Sequence, residues 1–486
     1  MESLMLRSRV ALRFVSVVGL LMLGACSALV DPDVDGLGSA NDGGGPIVDI
    51  DGGMRDGGGP VVDIDLGARD AGGADLGMRD AGAPDSGTAM PCSGDPRCAE
   101  GALITCMGGR EVRTPCALGC APGGLPRCAE FGPSNLPPDL LDAATGDVVI
   151  EDGEVGYVNT NDCNALDGDA RVVPQMAGPE LCVLPLGTLT VRAGGSLFAE
   201  GQRPLVLLAS GDVEIAGTLD VSAEGATPGP GGGLGGAGSR VDGTGTSPGI
   251  GGVHIDTFDD GGGGGGGLCG AGGAGGAGGT AAGGAGGAGV MTELSPLVGG
   301  SGGGRGRGLT TSTTVLSGPG GAGGGALQIT TLGTLRVSGE ILAGGGGGGG
   351  GRTGGSGNWG SGGGGGSGGA VLLEAARLDV SAGARIVVAA GGGGGGAFLS
   401  GDSADDGNDG IGDPPAAGGA GGGGAGALAE LAGAAGTANT ASGANGGGGG
   451  GGSGCVVVRA GSGAASGVTT AVTPGAAVRT LPPRLR

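Results

Sequence analysis

Residues 187–225 read GTLTVRAGGSLFAEGQRPLVLLASGDVEIAGTLDVSAEG. Leu189, Val191, Ala193, Leu197 and Ala199 recur in alternation, and Leu205, Leu207, Ala209, Val213, Ile215, Leu219, Val221 and Ala223 continue in phase. Thr190, Asp212, Glu214, Thr218, Asp220 and Glu224 fall between them. A period of two gives strands with one dry face and one wet face. The wording also repeats. Gly187-Thr-Leu-Thr-Val aligns with Gly211-Asp-Val-Glu-Ile, and Ala199-Glu-Gly201 with Ala223-Glu-Gly225, each 24 residues on. Gly333-Thr-Leu-Arg-Val and Ala376-Arg-Leu-Asp-Val return to the phrase, each behind an alternating strand (Leu327 to Thr331, Val371 to Ala375), and Cys455 to Val458 closes the series.

A coil must set equivalent residues over the same core at every turn, and glycine corners that preserve the inward phase do this. The expected fold is therefore mainly β, a parallel β-helix or solenoid whose rungs carry glycine-rich inserts. An antiparallel β-sandwich with disordered glycine loops stays open beside it, because two-residue hairpins also keep phase.

Three inserts interrupt the rungs, roughly 225–325, 344–369 and 391–452. Ala271, Ala274 and Ala277 stand three apart, and Ala282, Ala285 and Ala288 resume the spacing. Three residues make one turn of a polyproline II helix, so these alanines would line one face while glycine lets neighbouring backbones approach. Bundled polyglycine II helices and flexible loops both fit this pattern.

Glycine supplies 136 of the 486 residues and aromatics 1%. Glycine is the residue that loses most backbone entropy on folding, so a conventional large core is not expected. Cross-links and repetition must compensate. The eleven cysteines suit a secreted chain. Cys92, Cys98, Cys106, Cys116, Cys120 and Cys128 fall within 91–130 and mark a small disulfide module whose fifteen pairings the sequence does not separate. Cys163 and Cys182 are close enough in sequence to staple the entry to the β-rich region, 139–486. Cys269 and Cys455 then remain as a pair, 186 residues apart.

The chain begins with Arg7, Arg9 and Arg13 before an apolar run from Phe14 to Leu23, which ends in Leu23-Gly24-Ala25-Cys26. This is shorter than the ~20 residues a spanning helix needs. It resembles the lipobox of secreted bacterial lipoproteins. The resemblance implies cleavage of residues 1–25, lipidation of Cys26, and a membrane partner reached through acyl chains. Ser27 in place of Asp implies the outer membrane by the same likeness. Residues 26–90 read as a disordered acidic tether, since Asp31 to Asp85 holds thirteen aspartates against three arginines. Within it Asp31, Asp33, Asp35 and Asp42 match ligand positions of a calcium loop, with Pro32 and the lack of flanking helices favouring a plain linker. Asp402, Asp405, Asp406, Asp409 and Asp413 form a second acidic group, read in the same way.

The formal charge is −23, and losing three arginines and one glutamate ahead of Cys26 makes it −25. Nucleic acid is not an expected partner. All 24 basic residues are arginine, which excludes Walker A and Schiff-base chemistry. His254 is the single histidine and reads as a solvated loop residue, with no nucleophile motif beside it.

Polyglycine blocks parted by phrases such as Gly368 to Ala375 resemble glycine-rich bacterial surface proteins described as PE-PGRS-like, over about half the chain. No N-terminal helical PE module is visible. The likeness implies surface display and glycine-helix architecture, and assigns no functional residue. The expected role is a surface-exposed, non-catalytic structural or adhesive lipoprotein without a cofactor. Two alternatives stand beside it. One is a calcium-dependent adhesin. The other is a β-helix enzyme acting on cell-surface or extracellular polysaccharide through Asp212, Glu214, Asp220 and Glu224, although only Phe198 offers the rungs an aromatic.

Overall fold

The computed structural model describes residue 92 and residues 95–485, except 117, 122–124, 130, 166–168, 256–258, 291–292, 309–315, 355–357, 398–402, 413–415, 428–431, 440–444, 464 and 474–476. Cys26, the calcium candidates Asp31, Asp33, Asp35 and Asp42, and the tether lie outside the described residues.

The cysteine-rich segment forms an antiparallel sheet of β1 (Arg97–Ala99), β2 (Ala102–Met107) and β3 (Arg110–Pro115). Gly108 and Gly109 both have positive φ, as the tight two-residue turn between β2 and β3 requires. β3 is exposed along its whole length. Burial alone would not hold so thin a sheet, and three disulfides do so instead: Cys92–Cys106, Cys98–Cys120 and Cys116–Cys128.

The strands that follow are β4 (Asp147–Ile150), β5 (Val155–Asn159), β6 (Asn164–Ala165), β7 (Arg171–Val173), β8 (Leu181–Leu186), β9 (Thr188–Val191) and β10 (Ser196–Glu200). Next come β11 (Leu205–Ala209), β12 (Val213–Ile215), β13 (Thr218–Asp220), β14 (Ala326–Val337), β15 (Glu340–Leu342), β16 (Thr353–Gly354) and β17 (Asn358–Trp359). The last are β18 (Ala370–Val380), β19 (Arg385–Val387), β20 (Cys455–Gly463), helix α1 (Ala465–Ala471), β21 (Val472–Thr473) and β22 (Val478–Leu481).

Two parallel sheets result. One orders its strands β21-β19-β15-β13-β10-β5-β6, and the other β22-β20-β18-β14-β11-β8-β7, with β12, β9 and β4 extending it beside β14. The 24-residue repeat is a ladder step, because Leu189 pairs with Val213 and Val191 with Ile215. Later steps are longer but keep register. Leu205 sits beside Leu327, Val213 beside Leu335 and Thr218 beside Glu340, each 122 residues apart. All three ladder steps are thus displaced together, so the extra residues form an excursion that leaves the ladders intact. The antiparallel sandwich does not occur. Among the described residues, antiparallel pairing in these sheets is confined to β6 on β5 and β7 on β8, which close one end.

The inward set is buried as its phase requires: Leu189, Val191, Leu197, Leu205, Leu207, Val213, Ile215, Leu219 and Val221 share one cluster with Leu327, Leu335, Val371, Ile386 and Val456. Each such aliphatic side chain contributes roughly 1.5–3 kcal/mol. Ala193 departs from the expectation; it is exposed at a turn beside Gly194, whose φ is positive. Asp220 departs the other way and is buried. β8 and β11 are buried on both faces, because Val183, Val206 and Leu208 meet a second cluster that includes Leu136, Leu141, Leu294 and Leu297. The series also runs past Val458, through α1, β21 and β22.

The described parts of the glycine blocks are hydrogen-bonded, and the pattern repeats every third residue. In segment 360–369, Gly364 and Ser367 donate to Gly304 and Ser301, Gly365 and Gly368 to Gly449 and Gly452, and Gly366 and Gly369 to Gly346 and Ala343. The same segment accepts from Gly321 and Gly324, from Gly263 and Gly266, and from Gly391 and Gly394. Six segments drawn from all three blocks therefore surround this one. They also bond to one another around the ring: Gly303 to Gly321, Gly304 to Gly264, Gly449 to Gly263, Gly448 to Gly394, Gly348 to Gly392, and Gly346 to Ala322. A methyl group at Gly364 would overlap the carbonyl oxygen of Gly264, and one at Gly363 that of Pro319. This is why the inner segments are almost wholly glycine. The Cys269–Cys455 disulfide ties the first block to the start of β20, and Cys163–Cys182 ties the entry region to β8.

Candidate functional site

The four acids considered for sugar chemistry are spread over both sheets and the start of the first glycine block. Asp212, before β12, accepts the Thr334 N–H at 2.7 Å through Oδ1 and pairs with Arg336 at 2.9 Å through Oδ2. The Thr334 N–H first, and the Arg336 guanidinium after it, hold its carboxyl below the usual range. Asp220, at the end of β13, accepts the Ser222 N–H at 2.8 Å. Glu214 lies exposed on β12, in register with Arg336. Glu224 lines an open cleft of about 380 Å³ with Asp406, Asn408 and Asp409. Phe198 is half-buried on β10, in register with Tyr157 and Asp220. Two of the four acids are thus committed to holding backbone, which is a structural task.

The acids of the cleft do similar work. Asp409 Oδ1 accepts from Gly225 at 3.0 Å and from Gly347 at 2.6 Å, and Asp406 Oδ1 accepts from Gly350 at 2.7 Å. Gly347 and Gly350 are three apart, as are Asp406 and Asp409. The carboxylates therefore stand where a further glycine segment would offer carbonyl oxygens, and they cap an edge of the bundle. Asp402 and Asp413 lie outside the described residues. Among the described residues, no group of three or more His, Cys, Asp or Glu side chains is arranged to hold a metal ion.

His254 is exposed, as expected of a loop residue, but it is paired. Its Nδ1 lies 2.6 Å from Oδ1 of Asp260, whose side chain is fully buried, and Asp260 also accepts the Gly446 N–H through its carbonyl. The Asp260 carbonyl thereby ties this loop to the third glycine block.

Sequence reasoning missed a fully buried acid. Glu374 on β18 is fully buried on the outer side of the ten-stranded sheet. Its Oε2 accepts from the Ser134 N–H at 3.0 Å, Thr330 Oγ1 at 2.9 Å and Gln328 Nε2 at 3.1 Å, and its Oε1 bonds the Ser134 hydroxyl. Arg459 on β20 lies 4.0 Å away and donates to Pro482 O and Glu293. Burial pushes the Glu374 carboxyl above its ordinary value, against the pull of Ser134, Thr330 and Arg459. Ser134 belongs to the strap joining the cysteine-rich sheet to the parallel sheets, and the neighbouring Gly132 bonds Arg484 O. Glu374 thus clasps that strap to the sheet. The available signal was register: Thr330, Glu374 and Arg459 pair in line across β14, β18 and β20, at positions whose neighbours are apolar on both faces.

Comparisons with protein-family models, with curated proteins and with solved structures find no match. The functional reading accordingly rests on this chain's own residues.

Proposed function

We propose that this protein is an outer-surface lipoprotein with a structural or adhesive, non-catalytic role. In this reading the parallel ladders form a β-helix, the glycine excursions pack as a polyglycine II bundle on one side of it, and a lipid on Cys26 tethers both to the outer membrane. The observation that carries the reading is the interlocking of three distant glycine blocks around segment 360–369. So much chain committed to backbone-only contacts makes a rigid, chemically inert body.

Two further features support it. All ten cysteines from Cys92 onward are paired, which suits an oxidising exterior. Asp212, Asp220, Asp406, Asp409 and Glu374 serve as backbone acceptors.

The test is protease shaving of intact cells that carry the parent chain or Cys26→Ala. Removal of the parent from the cell surface, together with loss of membrane association in the variant, is the expected pair of results. A parent chain resistant to shaving and present in the cytosol would overturn the proposal, and so would release of reducing sugar from polysaccharide by the purified protein.

A further inference from the structure

We propose that the bundle is closed against a second copy of this chain by methyl groups, set at outward positions of its edge segments. This inference rests on the hydrogen-bond lattice and is independent of lipid anchoring or surface display.

The geometry begins with segment 271–277. Gly272 and Gly275 donate to Gly287 and Gly284 on one side, and Gly273 and Gly276 donate to Gly450 and Gly447 on another. A methyl at Gly273 would overlap the carbonyl of Ala434, and one at Gly275 that of Gly262. Only the third position of each turn is clear, and there the chain carries Ala271, Ala274 and Ala277, Ala274 being exposed and the other two half-buried.

The adjoining segments also carry outward methyl rows, and 432–438 adds a second exposed row at Ala434 and Thr437. In 282–288, Gly284 and Gly287 donate inward to Gly262 and Gly265, while Ala282, Ala285 and Ala288 are exposed. In 432–438, Gly433 and Gly436 donate to Ala271 and Ala274, while Ala432, Ala435 and Ala438 are exposed. Three adjacent segments thus present methyl rows on one surface, and Ile250 and Val253 continue it on the segment beyond.

A glycine surface in the same place would be a template. Inside the molecule, glycine faces of this geometry attract a further segment through N–H···O bonds of about 2.8–2.9 Å, such as Gly275 to Gly284 at 2.8 Å. The closest body able to supply such a segment is another copy, with its own glycine rows. A Cβ on the outward residue bars that approach, much as inward charges and prolines blunt the edge of a β-sheet. Asp406 and Asp409 close another edge by a second route, occupying the donors outright.

The experiment compares three full mature chains, each with Cys26→Ala so that lipid does not drive association. One has no other change, one has both triplets (271, 274, 277 and 282, 285, 288) changed from Ala to Gly, and one has the same six sites changed from Ala to Ser. Sedimentation velocity over a concentration series gives self-association, and amide exchange in segment 360–369 reports that the bundle is formed. The glycine chain is expected to self-associate on the order of ten-fold or more tightly than the parent. The serine chain, which keeps every Cβ, is expected to match the parent.

A folded glycine chain as monomeric as the parent would overturn the proposal, and so would equal association of the serine chain. If six substitutions abolish protection at 360–369, A282G, A285G and A288G alone are read against the same two outcomes.

Discussion

Cys269 and Cys455 are joined across 186 residues of sequence, with Cα atoms 5.5 Å apart. One lies within the first glycine block and the other opens β20, so a single sulfur bond fastens the glycine bundle to the ten-stranded sheet. Both residues are buried. In the chain-entropy model a loop of this length lends stability of roughly 4–5 kcal/mol. The Cys269→Ser, Cys455→Ser chain is therefore expected to unfold at distinctly lower denaturant, with the loss seen first as faster amide exchange in segment 261–267. Chemical unfolding followed by exchange of these glycine amides checks it, and an unchanged midpoint would show that the lattice alone holds the bundle.

The Glu374 clasp makes stability depend on pH. Its carboxyl is raised in the folded chain above the ordinary 4.5, with burial as the main cause. A group raised on folding binds more protons folded than unfolded, so its contribution is fully present below the unfolded value and is lost as pH rises through the folded one. The strap should therefore dock more firmly in acid than at neutrality, across a window that opens near 4.5 and extends upward. Glu374→Gln keeps an acceptor for the Ser134 N–H and removes the titration, so its profile should be flatter over that window. Glu374→Ala leaves several buried donors without an acceptor and should cost about 1–3 kcal/mol at any pH. Denaturant midpoints of the three chains from pH 4 to pH 8 decide between these outcomes; a parent profile that climbs through this window would reverse the sign.

The ladders were legible in the sequence because alternation and a 24-residue repeat report burial directly, and Leu189 falls beside Val213 as the repeat implies. The pairings of Cys163 and of Cys269 followed from proximity and elimination. The six cysteines of the first module did not resolve, since their partners depend on a sheet register that no hydrophobic pattern fixes there. Phase misled at Ala193 and Asp220, because a turn and a side-chain bond to Ser222 override alternation at those points. The glycine blocks were half legible: alanine spacing predicted a three-residue turn, but the neighbours of 360–369 come from residues tens to hundreds of positions away, and glycine carries no side chain to name them. The Glu374–Ser134 pair was hidden by distance too, being made across 240 residues.

Gly364 and Ala285 offer a paired test of the lattice. A methyl at Gly364 meets the backbone of Gly264, which is itself held on several sides, so Gly364→Ala should cost about 1–3 kcal/mol or more, as overpacking does. Ala285 is exposed, and Ala285→Ser should change stability by no more than about 0.5 kcal/mol. Equilibrium unfolding of both variants tests the contrast; equal small effects would mean that the inner segments are looser than the hydrogen bonds imply.

Asp409 gives the sharpest local prediction, because one oxygen serves two backbone donors, Gly225 at 3.0 Å and Gly347 at 2.6 Å. Gly346 and Gly348 flank Gly347 but donate to Ala322 and Gly392, within the lattice. In Asp409→Ala the Gly225 and Gly347 amides lose their acceptor at an open cleft, so both should exchange faster while Gly346 and Gly348 stay protected. Asp409→Asn retains a side-chain carbonyl and should preserve most of the protection at Gly347, showing that the task needs an acceptor more than a charge. Hydrogen exchange resolved at these four amides is the measurement. Acceleration spread evenly over all four would mean that Asp409 supports the whole segment and does not cap single donors.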